Sequence, residues 1–225
     1  VSVILPERAA DSSWKPGDAE LLLSAAQRAD AVAFGPGLGR GPCEREITRA
    51  LLSMQDRPPM VIDADALFAL SQMHGALELL KPSDVITPHP GEAAALLSTT
   101  AQAVQADRIS SLRELTKRTP AVCVLKGEGT LIGRRDASPV ISPWKIPQLA
   151  VAGSGDVMAG ITAALLARFP HDDSSLNAAA IAVWIHAMAG ASLARDFPMR
   201  GNGPHEIADA VPHVLASAGA LHREI

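Results

Sequence analysis

The feature that most constrains this chain is a rhythm of short apolar runs. Residues 1–5, 31–34, 61–62 and 85–86 are each apolar, and each stops at glycine, proline or a polar residue. Helix-periodic or capped stretches follow, over residues 18–30, 43–54 and 108–118 and after Asp65. A fifth run, residues 121–125, then appears. Runs this short and this continuous are strands buried on both faces. Strands that alternate with helices predict repeated βαβ units and a parallel sheet covered by helices. Residues 126–140 break the rhythm. Lys126-Gly-Glu-Gly129 reads as a turn, residues 130–132 and 139–141 as short strands, and together as an antiparallel edge. After Gly153 the chain turns helical. Residues 157–167 and 178–195 are Ala- and Ile-rich almost all round and predict buried helices. Residues 204–210 and 211–218 read as two short closing helices.

At 225 residues the chain suits one large α/β domain. Its 48% hydrophobic and 20% charged residues give an ordinary globular composition. No Lys/Arg-rich run accompanies the net charge of -4, so nothing supports nucleic-acid binding. No stretch reads as the ~20 apolar residues of a membrane span, and no secretory leader is recognised. Cys43 and Cys123 match no metal or redox spacing and read as buried thiols in a reducing cytoplasm. The chain opens inside an expected strand without Met, which suggests that native sequence lies upstream.

Five segments carry chemistry-bearing residues. Gly153-Ser154-Gly155-Asp156 opens a helix, and glycines before a helix N-terminus make an anion site. Asp156 either caps that helix or acts as a general base. Gly35-Pro-Gly37-Leu-Gly39 ends a strand, where amides can line a pocket or simply form a tight loop. Asp63 and Asp65 can hold Mg²⁺ through waters or cap the next helix. His89 sits between Pro88 and Pro90, stiffened for ligand contact or for a structural role, and Glu92 falls in the following first turn. Lys126, Gly127, Glu128, Gly129 and Thr130 form a turn that can reach a phosphate or close a plain hairpin. His186 lies in an apolar helix and reads as a core histidine; Trp184 and Met188 read as core or subunit contact.

In order and separation, these five segments resemble the ADP-dependent NAD(P)HX dehydratases of the ribokinase-like superfamily. The likeness runs from about Val1 to the end. The Thr-Pro-His-Pro-Gly-Glu and Gly-Pro-Gly-Leu-Gly segments are more specific to that family than the others. The resemblance implies a ribokinase-like three-layer α/β/α sandwich, a mostly parallel sheet with an antiparallel edge, forming a single catalytic domain over residues 1–225 that lacks an N-terminal strand, loop and helix. It implies repair of hydrated NADH or NADPH: the ring hydroxyl is phosphorylated from ADP (or ATP), with Mg²⁺, and phosphate is then lost. Asp156 would activate the hydroxyl. Lys126, Gly127, Glu128, Gly129, Thr130, Gly153, Ser154 and Gly155 would bind the adenine nucleotide. Gly37, Gly39, Asp63, His89 and Asp156 would meet the hydrated dinucleotide. The metal ligands are not assigned. A homo-oligomer is expected, as is an NAD(P)HX epimerase fused to or partnered with the chain. Where the family tends to show an Asn-Pro-x-Gly-Asn type segment, this chain reads Ser142-Pro-Trp-Lys-Ile-Pro147. Single motifs are shared with other ribokinase-like kinases, and two other functions stay open: a ribokinase-like kinase of a small alcohol, and a nucleotide-binding module without turnover.

Overall fold

The structure is a computed structural model that describes Trp14 and residues 16–169, 174–199 and 201–221. The strand expected at residues 1–5 lies outside them. In chain order the main elements are α1 (Pro16–Gln27), β1 (Val32–Phe34), α2 (Pro42–Leu52), β2 (Met60–Ile62), α3 (Ala64–Ser71), β3 (Val85–Ile86), α4 (Pro90–Leu97), α5 (Ala101–Ala106), α6 (Arg108–Arg118), β4 (Val122–Leu125), β5 (Leu131–Gly133), β6 (Val140–Ile141), α7 (Ser154–Arg168), α8 (Ser175–Ser192) and α9 (Pro204–Leu221).

The sheet runs in sequence order from β1 to β6. The first four strands are parallel, with Ala33 beside Val61, Ile62 beside Ile86 and Ile86 beside Cys123. β5 and β6 then add the antiparallel edge, Val124 facing Ile132 and Ile132 facing Val140. Helices cover both faces, as the rhythm of short runs predicts. Successive side chains on a strand point to opposite faces, and the core divides accordingly. Met60, Ile62, Ile86, Cys123 and Leu125 pack with α1, α2, α3, α4 and α6. Val61, Val85, Val122 and Val124 pack with α7 and α8. A third cluster joins Ile185 and Ala189 of α8 to Ile207, Ala210 and Val214 of α9.

Three expectations need correction. The two closing helices are one, α9, with Pro212 inside it. α8 is not buried all round: Ala179, Ala182, Ile185 and Ala189 face the core, whereas Ile181 and Trp184 are exposed. Residues Ser175–Arg195 are also long and apolar enough to cross a membrane by composition, with a mean hydropathy of 1.5, and half of that stretch is buried inside the protein.

The strand ends divide the molecule by task. At the amino ends of β2 and β3, Arg57 and Asp84 form a fully buried pair, with Nη1 to Oδ1 at 2.7 Å and Nη2 to Oδ2 at 2.5 Å. Asp84 also accepts the Met60 and Lys81 N–H groups, at 3.0 and 2.7 Å. A buried charge is tolerated only when paired and hydrogen-bonded, and this one is both. All four parallel strands direct their carboxyl ends, at Gly35, Asp63, Thr87 and Lys126, to the opposite edge.

Candidate active site

Ligands in open α/β sheets sit beyond the carboxyl ends of the strands, and the five sequence segments meet there. Lys126 follows β4 and Asp63 follows β2. Lys126 Nζ lies 2.5 Å from Asp63 Oδ1 and 3.8 Å from Glu92 Oε2. Asp63 holds the N-cap position of α3, but its side chain makes no capping bond; it is committed to the lysine. Glu92 was read only as a helix-dipole residue, yet it belongs to this charge cluster. Burial pushes its carboxyl pKa up, against the pull of Lys126.

Above the pair lies the start of α7. Gly153 occupies the N-cap with φ 83, a left-handed conformation that glycine adopts without steric cost. A Cβ there would stand 3.0 Å from Pro204 Cγ. Gly155 comes closest to the ion pair: a Cβ on it would lie 3.5 Å from Lys126 Nζ and 3.6 Å from Asp63 Oδ2. Of the turn's amides, Ser154 N–H donates to the Val151 carbonyl at 3.2 Å. Asp156 is in the first turn of α7, and its own N–H donates to the Gly153 carbonyl at 3.1 Å. Asp156 is therefore not the cap. Asp156 is exposed, yet partial burial of its carboxyl raises the pKa, the negative charge of Asp63 raises it further, and Lys126 pulls it the other way. A carboxylate tuned upward beside a fixed cation is the pattern of a general base.

The Gly35–Gly39 loop is held by Asp65. Its Oδ2 accepts the Gly39 N–H at 3.0 Å and its Oδ1 accepts Arg40 Nε–H at 2.7 Å. The capping role considered for Asp65 is thus replaced by a loop-bracing one. Gly37 is left-handed, with open space where a Cβ would be. His89 does cap α4: its Nδ1 accepts the Gly91 and Glu92 N–H groups at 2.9 and 3.3 Å, and Glu92 Oε2 accepts the His89 N–H at 2.8 Å. This is a reciprocal capping box. With Nδ1 accepting, a neutral ring carries its proton on Nε2, which faces Glu92 Oε1 at 3.4 Å while the side chain as a whole is exposed. The structural and ligand-facing readings of His89 are therefore compatible.

The turn after β4 is pinned from an unforeseen direction. Arg108, on α6, donates to the Leu125 carbonyl at 3.0 Å, to that of Lys126 at 3.3 Å and to that of Gly129 at 3.4 Å. Nothing in its local sequence marks it, since it looks like any polar helix residue. Thr130 Oγ1 donates to the Gly127 carbonyl at 2.9 Å and closes the turn. Glu128 is exposed and pairs with Lys145 at 3.0 Å. Beside this turn lies a cavity of about 490 Å³, within the ~300–1,000 Å³ of small-molecule sites. Its wall includes Lys126, Thr130, Trp144, Ile146, Met158 and His186. The segment that departs from the family pattern, residues 142–147, thus forms part of the cavity wall. His186 is buried, as expected of a core histidine, but its Nε2 lies 3.0 Å from Ser154 Oγ at the head of α7. Among the described residues, no group of three or more His, Cys, Asp or Glu is placed to hold a metal ion.

A mostly parallel sheet with an antiparallel edge, whose glycine turn opens a helix over the strand ends, defines a ribokinase-like protein. Among solved structures, a ribokinase-like superfamily protein of Enterococcus faecalis superposes with a TM-score of 0.75 at 26% identity, covering 89% of this chain and 68% of that one. The family model described as NAD(P)H-hydrate dehydratase matches residues 2–213, and the chain belongs to that family. A bifunctional NAD(P)H-hydrate repair enzyme of Moorella thermoacetica is 38% identical over 194 residues, which are 86% of this chain and 36% of that protein. An ADP-dependent (S)-NAD(P)H-hydrate dehydratase of Neisseria meningitidis is 38% identical over 170 residues, 74% of this chain and 56% of that protein. The chain thus spans about a third of the bifunctional relative and a little over half of the dehydratase.

Proposed function

We propose that the chain dehydrates hydrated NADH or NADPH at the expense of ADP, with Asp156 as general base. The observation that carries this reading is the position of Asp156. It sits in the first turn of α7, its carboxyl pKa raised by burial and by Asp63, next to Lys126 and the Gly153–Gly155 turn. Asp156 takes the proton of the ring hydroxyl as the hydroxyl oxygen attacks the terminal phosphorus of ADP. The bond to the bridging oxygen breaks and AMP leaves. The carbon–oxygen bond then breaks with phosphate as leaving group, a ring proton is lost, and the dihydronicotinamide is restored. Lys126 and the helix dipole at Gly153–Gly155 stabilise charge on the phosphoryl group in transfer.

Lys126, Gly127, Glu128, Gly129 and Thr130, with Gly153, Ser154 and Gly155, form the nucleotide side of the site. Gly37, Gly39, Asp63 and His89, with Asp156, form the dinucleotide side. The name of the Neisseria relative supports ADP as donor. Since no ready-made metal cage is found among the described residues, Mg²⁺ would arrive on the phosphates, as it commonly does. Its contribution when bound is to neutralise phosphate charge. A neighbouring epimerase activity belongs to the same proposal, and the bifunctional designation of the Moorella relative supports it. A reducing, cytoplasmic setting fits two cysteines, Cys43 and Cys123, that are kept as thiols.

The test is turnover of hydrated NADH with Mg²⁺ and ADP, then ATP, following the return of dihydronicotinamide absorbance. A nucleotide-dependent rise is expected, and Asp156→Asn should abolish it while nucleotide still binds. Accumulation of a stable phosphorylated alcohol would reassign the chain as a small-alcohol kinase. Normal turnover by Asp156→Asn would remove Asp156 from the mechanism.

A further inference from the structure

His186 and Ser154 form a contact that a core histidine does not need. Ser154 is the first residue of α7, and both side chains are buried. The Ser154 hydroxyl is engaged across the helix pair by His186 Nε2, at 3.0 Å. Gly153, in the N-cap position, has no side chain to cap α7. The Ser154 and Asp156 N–H groups donate to the Val151 and Gly153 carbonyls, and Gly155, between them, lies against Lys126 and Asp63. Burial pushes the His186 pKa down to about 4, against a weaker opposite pull from the Ser154 backbone, so the ring is neutral at physiological pH. A neutral ring adds no competing positive charge beside the anion site. α7 and α8 pack together through Met158, Ala159, Ala179 and Val183, so the imidazole is held on a rigid element.

We propose that His186 is a positioning residue: by holding the Ser154 hydroxyl it fixes the Gly153–Gly155 turn to receive the terminal phosphate of a nucleoside diphosphate. The proposal rests on the phosphoryl-transfer reading of the turn, but its test does not need turnover. ADP and AMP differ by the one phosphate that would reach the turn. Their affinities are to be measured by calorimetry for the parent chain and for Ser154→Ala, His186→Leu and the double variant. Ser154→Ala removes the same contact with little change of volume, which guards against a failure of His186→Leu to fold.

Each single variant should weaken ADP roughly tenfold, the usual effect of one lost hydrogen bond in a polar network, and leave AMP within about twofold. The double variant should be no weaker than the singles, because both remove one contact. His186→Gln, which can place an amide nitrogen near the Nε2 position, should recover most of the ADP affinity. Equal loss of ADP and AMP would mean that His186 serves the nucleoside or the fold generally and would overturn the proposal. So would additive losses in the double variant. If the parent binds ADP no better than AMP, the turn does not receive that phosphate and the phosphoryl-transfer reading itself fails. Selective ADP weakening without any turnover in the parent would uphold the positioning role and sink only the dehydratase reaction.

Discussion

Removing Lys126 should separate two functions that one ammonium group performs. Lys126 Nζ sits 2.5 Å from Asp63 Oδ1, with side chains only 19% and 2% exposed. Taking away one partner of a buried pair leaves the other charge uncompensated, at a typical cost of ~3–5 kcal/mol. The lysine keeps some access to water, so the lower end applies and Lys126→Ala should cost about 3 kcal/mol. At ~2–4 °C per kcal/mol for a domain of this size, the melting temperature should fall by roughly 6–12 °C. Adding Asp63→Asn removes the stranded carboxylate, so the double variant should regain part of that loss. ADP affinity, in contrast, should fall in Lys126→Ala and stay low in the double variant, because the phosphate has lost its cation. Circular-dichroism melting and ADP calorimetry on the two variants read both effects. A Lys126→Ala melt close to that of the parent, or a double variant as unstable as the single, would refute the account of the pair. Full recovery of ADP binding in the double variant would refute the role of Lys126 in holding phosphate.

Two further perturbations address other parts of the fold. Burial and Asp63 raise the Asp156 pKa in the folded state; the stability this brings is therefore present below the unfolded pKa and is lost as pH rises through the folded value. Asp156→Asn should accordingly melt higher than the parent at pH 8 and show a flatter melting profile on the acid side. A lower melt than the parent at both pH 4 and pH 8 would contradict this. At the far end of the strands, Asp84→Ala strands the fully buried Arg57 guanidinium and should cost about 3–5 kcal/mol in urea unfolding. ADP affinity of the folded fraction should be unchanged, and a loss of affinity without loss of stability would place the pair wrongly.

The parallel sheet was legible in the sequence because a doubly buried strand has no polar face to disguise it: residues such as Val61, Ile62, Val85 and Ile86 have no other simple home. Glycines and prolines at the strand ends then marked the loops, and those loops carry the site. What escaped was tertiary. Arg108 reaches the β4 turn across 17 to 21 residues of chain and looks locally like any helix residue. Asp65 looked like a cap, but its partners Gly39 and Arg40 lie 26 and 25 residues away. His186 was correctly read as buried, yet its apolar neighbours in α8 gave no sign that it faces Ser154 on another helix. The single helix α9 reads in the sequence as two, divided between residues 210 and 211, although it runs on through Pro212.

Gly35 carries a consequence for anyone who wishes to redirect what this protein binds. Its φ is +125, and a Cβ on it would fall 1.8 Å from the Asp63 carbonyl oxygen, so the backbones touch where two loops leave the sheet. Asp65, two residues on from Asp63, braces the same loop through Gly39 and Arg40, and the Arg40 guanidinium lies over the Phe68 ring at 5.0 Å. Residues 35–40 and 63–68 are therefore one structural unit, although 22 residues separate them in the chain. A library that randomises the glycine loop alone will mostly yield broken proteins. Swapping the two stretches together, as a single cassette from one donor, is the way to vary what this end of the sheet accepts.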